Sequence, residues 1–98
     1  MTFALRFTPD AEDDLISLKK DPSKAKILKA VLKTLALMET NLRHPSLNTH
    51  EFTSMCGPKG EKVFEAYAQQ STPGAYRIFW YYGPGKNVIS IMAILPHP

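Results

Sequence analysis

The sequence predicts an α+β fold in which one strand and a helical hairpin precede an antiparallel sheet. Three observations predict it. Apolar residues alternate at the N-terminus, recur at helical spacing over the next third, and return as strand-like runs broken by glycine and proline in the last third.

Phe3, Leu5 and Phe7 alternate with Thr2, Ala4 and Arg6, the period of a strand with one buried face. Thr8-Pro9-Asp10 then starts a helix. Thr8 can cap it, Pro9 suits the first helical position, and Asp10, Glu12, Asp13 and Asp14 crowd the end where the helix dipole favours acids. Ala11, Leu15 and Leu18 give that helix an apolar stripe. Asp21-Pro22-Ser23 repeats the start signal and predicts a second helix from about Pro22 to Leu42. Its expected core stripe is Ala25, Leu28, Leu32 and Leu35, broadened by Val31, Met38 and Leu42, with Lys26, Lys29 and Lys33 on another face. The short break between the helices predicts an antiparallel hairpin. Residues 41–58 are polar and irregular, and read as a loop with a short strand around Leu47 to Phe52.

The last third is β. Lys62 to Gln69 reads as a strand and Gln70 to Gly74 as a turn. The aromatic run Tyr76 to Tyr82 reads as a central strand, Gly83 to Lys86 closes a hairpin, and the nearly continuous apolar run Val88 to Leu95 ends at Pro96. The order is β-α-α-β-β-β, a twisted sheet with the hairpin on one face and a partly polar face left over.

Composition bounds the rest. The chain has 98 residues, 44% hydrophobic and 21% charged, with a net charge of +3. That is one ordinary globular domain, 1–98; disorder and a multidomain enzyme are excluded. Area scaling gives roughly 5,600 Å² folded against roughly 16,000 Å² for the open chain, so about 65% of the surface is buried without a metal or disulfide staple. Cys56 is alone, so no intrachain disulfide forms. The N-terminus has no signal-peptide pattern and no apolar stretch is long enough to span a bilayer, so a soluble, cytoplasmic protein is expected, with no membrane partner. The mild positive charge is compatible with a polyanion.

Within the strand Tyr76 to Tyr82, Arg77 is the unusual residue. It either pairs with Glu65 or Glu61, or faces the open side, where its planar fork suits phosphate. Ile78 and Trp80 belong to the bulkier phase and should meet the helices, which leaves Arg77, Phe79 and Tyr81 toward the open face. Glu65 and Tyr67 share a phase on the preceding strand. Glu65 reads as ion partner or general base, and Tyr67 as proton donor or stacking ring. His97 is either a general acid or base at the strand exit or an exposed residue between prolines. Tyr81 and Lys62 are the candidate RNA contacts. His44 and His50 match no metal spacing, Cys56 completes none, and neither metal nor cofactor is expected. Gly57-Pro58-Lys59-Gly60 lacks a phosphate-loop pattern and reads as a turn.

The stretches FALRFTPDAEDDLISL, KAVLKTLALMETNLRHPSL and AYRIFWYYGPGKNVISIMAILPHP together resemble the RelE/ParE-type toxins of bacterial toxin–antitoxin systems. The resemblance covers almost the whole chain. The arginine-bearing YRI strand, followed by an apolar strand ending in a histidine, is its strongest element. It implies a RelE-like fold and a metal-independent, ribosome-dependent endoribonuclease that cuts mRNA by 2′-hydroxyl attack. Arg77 would then stabilise the phosphate, and Glu65 or Tyr67 and His97 would move protons. It also implies a cognate antitoxin protein, with ribosome and mRNA as targets. Val63 to Gln69 carries no basic residue, which keeps two alternatives: a ParE-like, non-catalytic inhibitor of DNA gyrase, and a degenerate, non-toxic binding module.

Overall fold

A computed structural model describes residues 2–70 and 72–97. The elements are β1 (Ala4–Phe7), α1 (Pro9–Lys20), a 3-10 turn (Pro22–Lys24), α2 (Ala25–Thr40), a second 3-10 turn (Pro45–Leu47), β2 (His50–Cys56), β3 (Lys62–Tyr67), β4 (Tyr76–Tyr82) and β5 (Val88–Pro96). The five strands form one sheet in the order β1-β5-β4-β3-β2. β2 to β5 is an antiparallel meander, and β1 joins its far edge parallel to β5. The expected α+β class holds, and the expected order β-α-α-β-β-β gains one strand, β2. Position 71 of the turn expected over 70–74, and Pro98, lie outside the described residues.

The α1 start follows its signal: Thr8 Oγ1 accepts the Ala11 N–H at 3.2 Å, and Pro9 is the first helical residue. The second helix differs from its expected span. Asp21 accepts the Ser23 N–H at 3.0 Å and the Ser23 hydroxyl at 2.6 Å, and these bonds hold its carboxyl below the ordinary value. That cap serves the 3-10 turn, so α2 proper begins only at Ala25, and Leu42 lies past its end. The stripe is also rotated. Ala25 is exposed and Leu32 is 44% exposed, whereas Val31, Thr34, Leu35 and Met38 are buried. Thr34 enters the core because its hydroxyl donates to the Ala30 carbonyl at 2.8 Å, which satisfies its polar group within the helix.

β2 is longer than the short strand expected around Leu47 to Phe52. Leu47 sits in the 3-10 turn and is itself core. Five steps along β2, from Glu51 to Cys56, pass opposite two on β3, from Phe64 to Lys62, so β2 carries a large bulge. The bulge breaks the alternation and brings Phe52 and Met55 against Val63, Phe79 and Ala93. β3 stops at Tyr67 rather than Gln69, because the Ala68 and Gln69 amides both turn to the Tyr76 carbonyl at 3.2 Å.

The two phases of β4 divide as expected. Tyr76, Ile78 and Trp80 join the core beneath the helices with Ile89, Ile91 and Ile94 of β5. Each fully buried isoleucine there contributes about 1.5–3 kcal/mol. β5 reads as continuous apolar sequence for a specific reason. Trp80 pairs with Ile91 and Phe79 with Ala93, which leaves Met92 as an extra residue that shifts the phase. Helix α1 satisfies this bulge. Asp14 Oδ2 accepts the Ile94 N–H at 3.0 Å, and the Thr8 hydroxyl donates to the Met92 carbonyl at 3.2 Å. At the β4–β5 hairpin, Gly83 stands at φ +94°, a conformation that side-chain-bearing residues rarely adopt. Among the described residues no helix is long and apolar enough to cross a membrane.

Candidate functional site

The face of the sheet away from the helices gathers the titratable residues at one end. The strand pairing decides which of them meet. On β3–β4, Glu65 pairs with Phe79 and Tyr67 with Arg77. On β2–β3, His50 pairs with Glu65. All of these side chains share the Phe79 phase. The chain leaving β5 is tied back by the His97 N–H, which donates to the Ala75 carbonyl at 2.9 Å, and this sets His97 beside them.

Glu65 is the centre. Its side chain is fully buried, and His97 Nδ1 lies 2.5 Å from Oε2. His50 Nε2 lies 2.7 Å from Oε1. That contact is close but off the hydrogen-bond axis, so Oε1 has no directed donor among the described residues. Arg77 Nε stands 3.8 Å from Oε2, an ion contact rather than a hydrogen bond. A carboxylate taken out of water unpaired would be prohibitively costly, and this one has three potential cations around it.

Hydrogen-bond geometry assigns the ring protons. The Asn48 carbonyl, 2.9 Å from His50 Nδ1, can only accept, so Nδ1 carries hydrogen. Nδ1 of His50 is thus used by the backbone, and Nε2 stands close to Glu65 without a directed bond. His97 differs. Its Nδ1 faces the carboxylate, so that edge carries the proton, and Nε2 has no partner among the described residues. Side chains of His50 and His97 are 47% and 43% exposed. The arrangement is one imidazole oriented by a buried carboxylate, with a ring nitrogen open to whatever lies over the face.

Arg77 is placed differently from a phosphate fork. Its side chain is 8% exposed. Nη1 donates to the Gln69 carbonyl at 2.6 Å and, more weakly, to that of Tyr76 at 3.4 Å. The guanidinium carbon lies 3.6 Å over the centre of the Tyr67 ring. The fork grips backbone and ring, so a phosphate would feel its charge rather than a bidentate clasp. Of the two expected acidic partners, Glu65 is the one beside it. Glu61 instead closes the Gly57–Gly60 turn, accepting the Lys59 N–H at 2.7 Å.

The structure places the two candidate RNA contacts away from the open surface. Tyr81 is on the expected face but only 2% exposed, so its ring offers no surface to a base. Lys62 alternates with Val63 and Glu65 and shares the phase of Phe64 and Ala66, which face the helix layer. Sequence reasoning passed over two residues. His50 reads from sequence as a loop histidine, and only its pairing with Glu65 turns it to this face. Arg6 also stands on this face. Its Nη1 donates to Ser90 Oγ at 2.9 Å and approaches the Tyr81 hydroxyl at 3.4 Å. Among the described residues no group of three or more His, Cys, Asp or Glu is arranged to hold a metal ion.

This fold, an α-helical hairpin on a five-stranded sheet, is similar to that of solved RelE and YoeB structures. No family model and no curated relative matches the chain. Solved structures do. The archaeal RelE–RelB complex from Pyrococcus horikoshii OT3 matches at TM-score 0.64 and 14% identity, over 98% of this chain and 96% of that one. The YoeB dimer from Staphylococcus aureus matches at TM-score 0.64 and 14% identity over the whole of both chains. The YoeB/ParE toxin from Agrobacterium tumefaciens matches at TM-score 0.65 and 10% identity, over 98% of this chain and 100% of that one. At these identities the likeness is one of fold.

Proposed function

We propose that this chain is the toxin of a toxin–antitoxin pair and acts as a metal-independent endoribonuclease on ribosome-bound mRNA. The observation that carries the reading is His97, hydrogen-bonded through Nδ1 to a buried carboxylate with Nε2 left free. RNA cleavage by its own 2′-hydroxyl needs a base for that hydroxyl, positive charge at the phosphate and an acid for the leaving 5′-oxygen. His97 Nε2 takes the 2′-hydroxyl proton. The 2′-oxygen attacks the adjacent phosphorus, the bond to the 5′-oxygen breaks, and a 2′,3′-cyclic phosphate results. Glu65, too buried to touch the substrate, keeps His97 in the required tautomer and stabilises the imidazolium that forms. Arg77 contributes its charge from below. Tyr67, half-buried under that guanidinium, is the group that gives its proton to the leaving 5′-oxygen.

The RelE fold and the RelB-bound form of one solved structure support an antitoxin partner. The test is induced expression in bacteria with mapping of mRNA 5′ ends, comparing wild type with His97→Ala. Cuts phased to the reading frame and lost in the variant are expected. Cuts that persist in His97→Ala overturn the role of His97. Growth arrest without cuts overturns the nuclease reading and favours a gyrase-directed toxin.

A further inference from the structure

We infer that the open face binds single-stranded RNA along a track that ends in a second phosphate site at Arg6. The inference rests on the nuclease reading and extends it to how substrate is held. The sheet register places the two ends. Arg77 and Tyr81 are separated by four residues of β4, roughly 13 Å along the strand. Arg6 lies across β5 from Tyr81, through the pairs Tyr81–Ser90 and Arg6–Ser90, roughly 10 Å to the side. A strand of a few nucleotides covers that diagonal.

The chemistry along the diagonal alternates as single-stranded RNA requires. At one end are the imidazoles and Arg77. At the other is Arg6, an exposed cation. Its guanidinium is anchored at Nη1 by Ser90, and Ser90 is itself held by donating to the Gly83 carbonyl at 2.7 Å. A pre-held guanidinium loses little freedom on meeting a phosphate. Between the ends, Met92 of β5 is half-buried on the Val63, Phe79 and Ala93 cluster and offers an apolar rest for a base, while Phe52 and Met55 lie on β2, on the other side of β4 from Arg6. Charge complementarity favours a polyanion. The sheet strands contain two carboxylates. Glu65 is fully buried, and Glu51 pairs with Phe64 in the opposite phase. Tyr81 thereby serves RNA from beneath, as a support for Arg6.

The test measures binding of 2′-O-methyl oligoribonucleotides of increasing length, which cannot be cleaved by 2′-oxygen attack, as a function of salt. Wild type is compared with Arg6→Gln, Arg6→Lys and His97→Gln, and each variant's unfolding transition confirms its fold. Arg6→Gln is expected to weaken binding severalfold for long oligonucleotides, to leave dinucleotides unaffected, and to lower the salt slope by about 0.7, one single-strand phosphate. Arg6→Lys is expected to restore the slope. If wild type binds and Arg6→Gln changes neither affinity nor slope at any length, the second site is overturned while the nuclease reading stands. If wild type binds no oligoribonucleotide, the track is overturned; loss of phased mRNA cuts in His97→Ala would still leave the nuclease reading intact.

Discussion

Glu65 holds the site together by being buried, and its substitution separates charge from shape. Removing the side chain strands Arg77 in the interior without its acidic neighbour, since Nε already lacks a hydrogen-bond partner. Breaking a buried ion contact from one side costs about 3–5 kcal/mol. Glu65→Ala should therefore unfold at markedly lower urea, whereas Glu65→Gln, which fills the same space and still accepts from His97, should lose much less stability. Both should lose RNA cleavage by more than tenfold, because neither places a negative charge beside the imidazolium. Urea titrations with cleavage assays on the same samples check this. Equal stability of Glu65→Ala and wild type would mean that the Arg77 charge is balanced elsewhere. Arg77, Glu65 and His97 stand out as candidates from residue type and position in the sequence alone, and the structure brings them together. Their geometry is not legible in the sequence, because it depends on a register that places Glu65 opposite Phe79 and sends His97 back beside it. His50 was invisible for a related reason: its strand is irregular, and only pairing with β3 gives it a direction.

At the scale of elements, the misread segments are those where backbone demand is met by something distant in sequence. The bulge at Met92 leaves backbone groups that α1 satisfies, so β5 looks like uninterrupted apolar strand while changing phase midway. The rotated stripe of α2 depends on which side the sheet approaches. Both are tertiary facts that helical or strand periodicity cannot carry. The Asp14 bond to Ile94 has a pH consequence. Burial raises the Asp14 carboxyl above its ordinary value of 3.8, the Ile94 N–H opposes that, and Asp10 and Asp13 add to the rise. The folded state therefore binds a proton more tightly than the unfolded chain. The resulting stabilisation is fully present below 3.8 and is lost as pH rises through the raised folded value. Asp14→Asn keeps an acceptor for Ile94 and removes the charge. It should gain stability relative to wild type as pH rises from acid to neutral, with the smallest difference at the acid end. Denaturation midpoints of both proteins across that range test it, and a gap that widens toward acid would reverse the sign.

The whole molecule is organised around β4 and β5, and everything else leans on that pair. The main core draws on β1, α1, α2, β3, β4 and β5 together, including Phe3 and Leu5 from the first residues and Ile94 from the last described strand. Because β1 pairs parallel with β5, the two ends of the sequence are held in one ladder, and neither can leave without exposing Ile89 and Ile91. The helices have no second surface to rest on, so they should not outlive the sheet. Trp80 reports on this directly. It is the only tryptophan, it is 1% exposed, and it stacks on Phe64 with ring centres 5.0 Å apart. Its fluorescence follows the β3–β4 core, while far-UV circular dichroism is dominated by the helices. The two signals should change at the same urea concentration in a single transition, as for a cooperative small domain. A helical signal that persists after Trp80 reaches solvent would mean that the hairpin has stability of its own, which its shared core gives it no means to have.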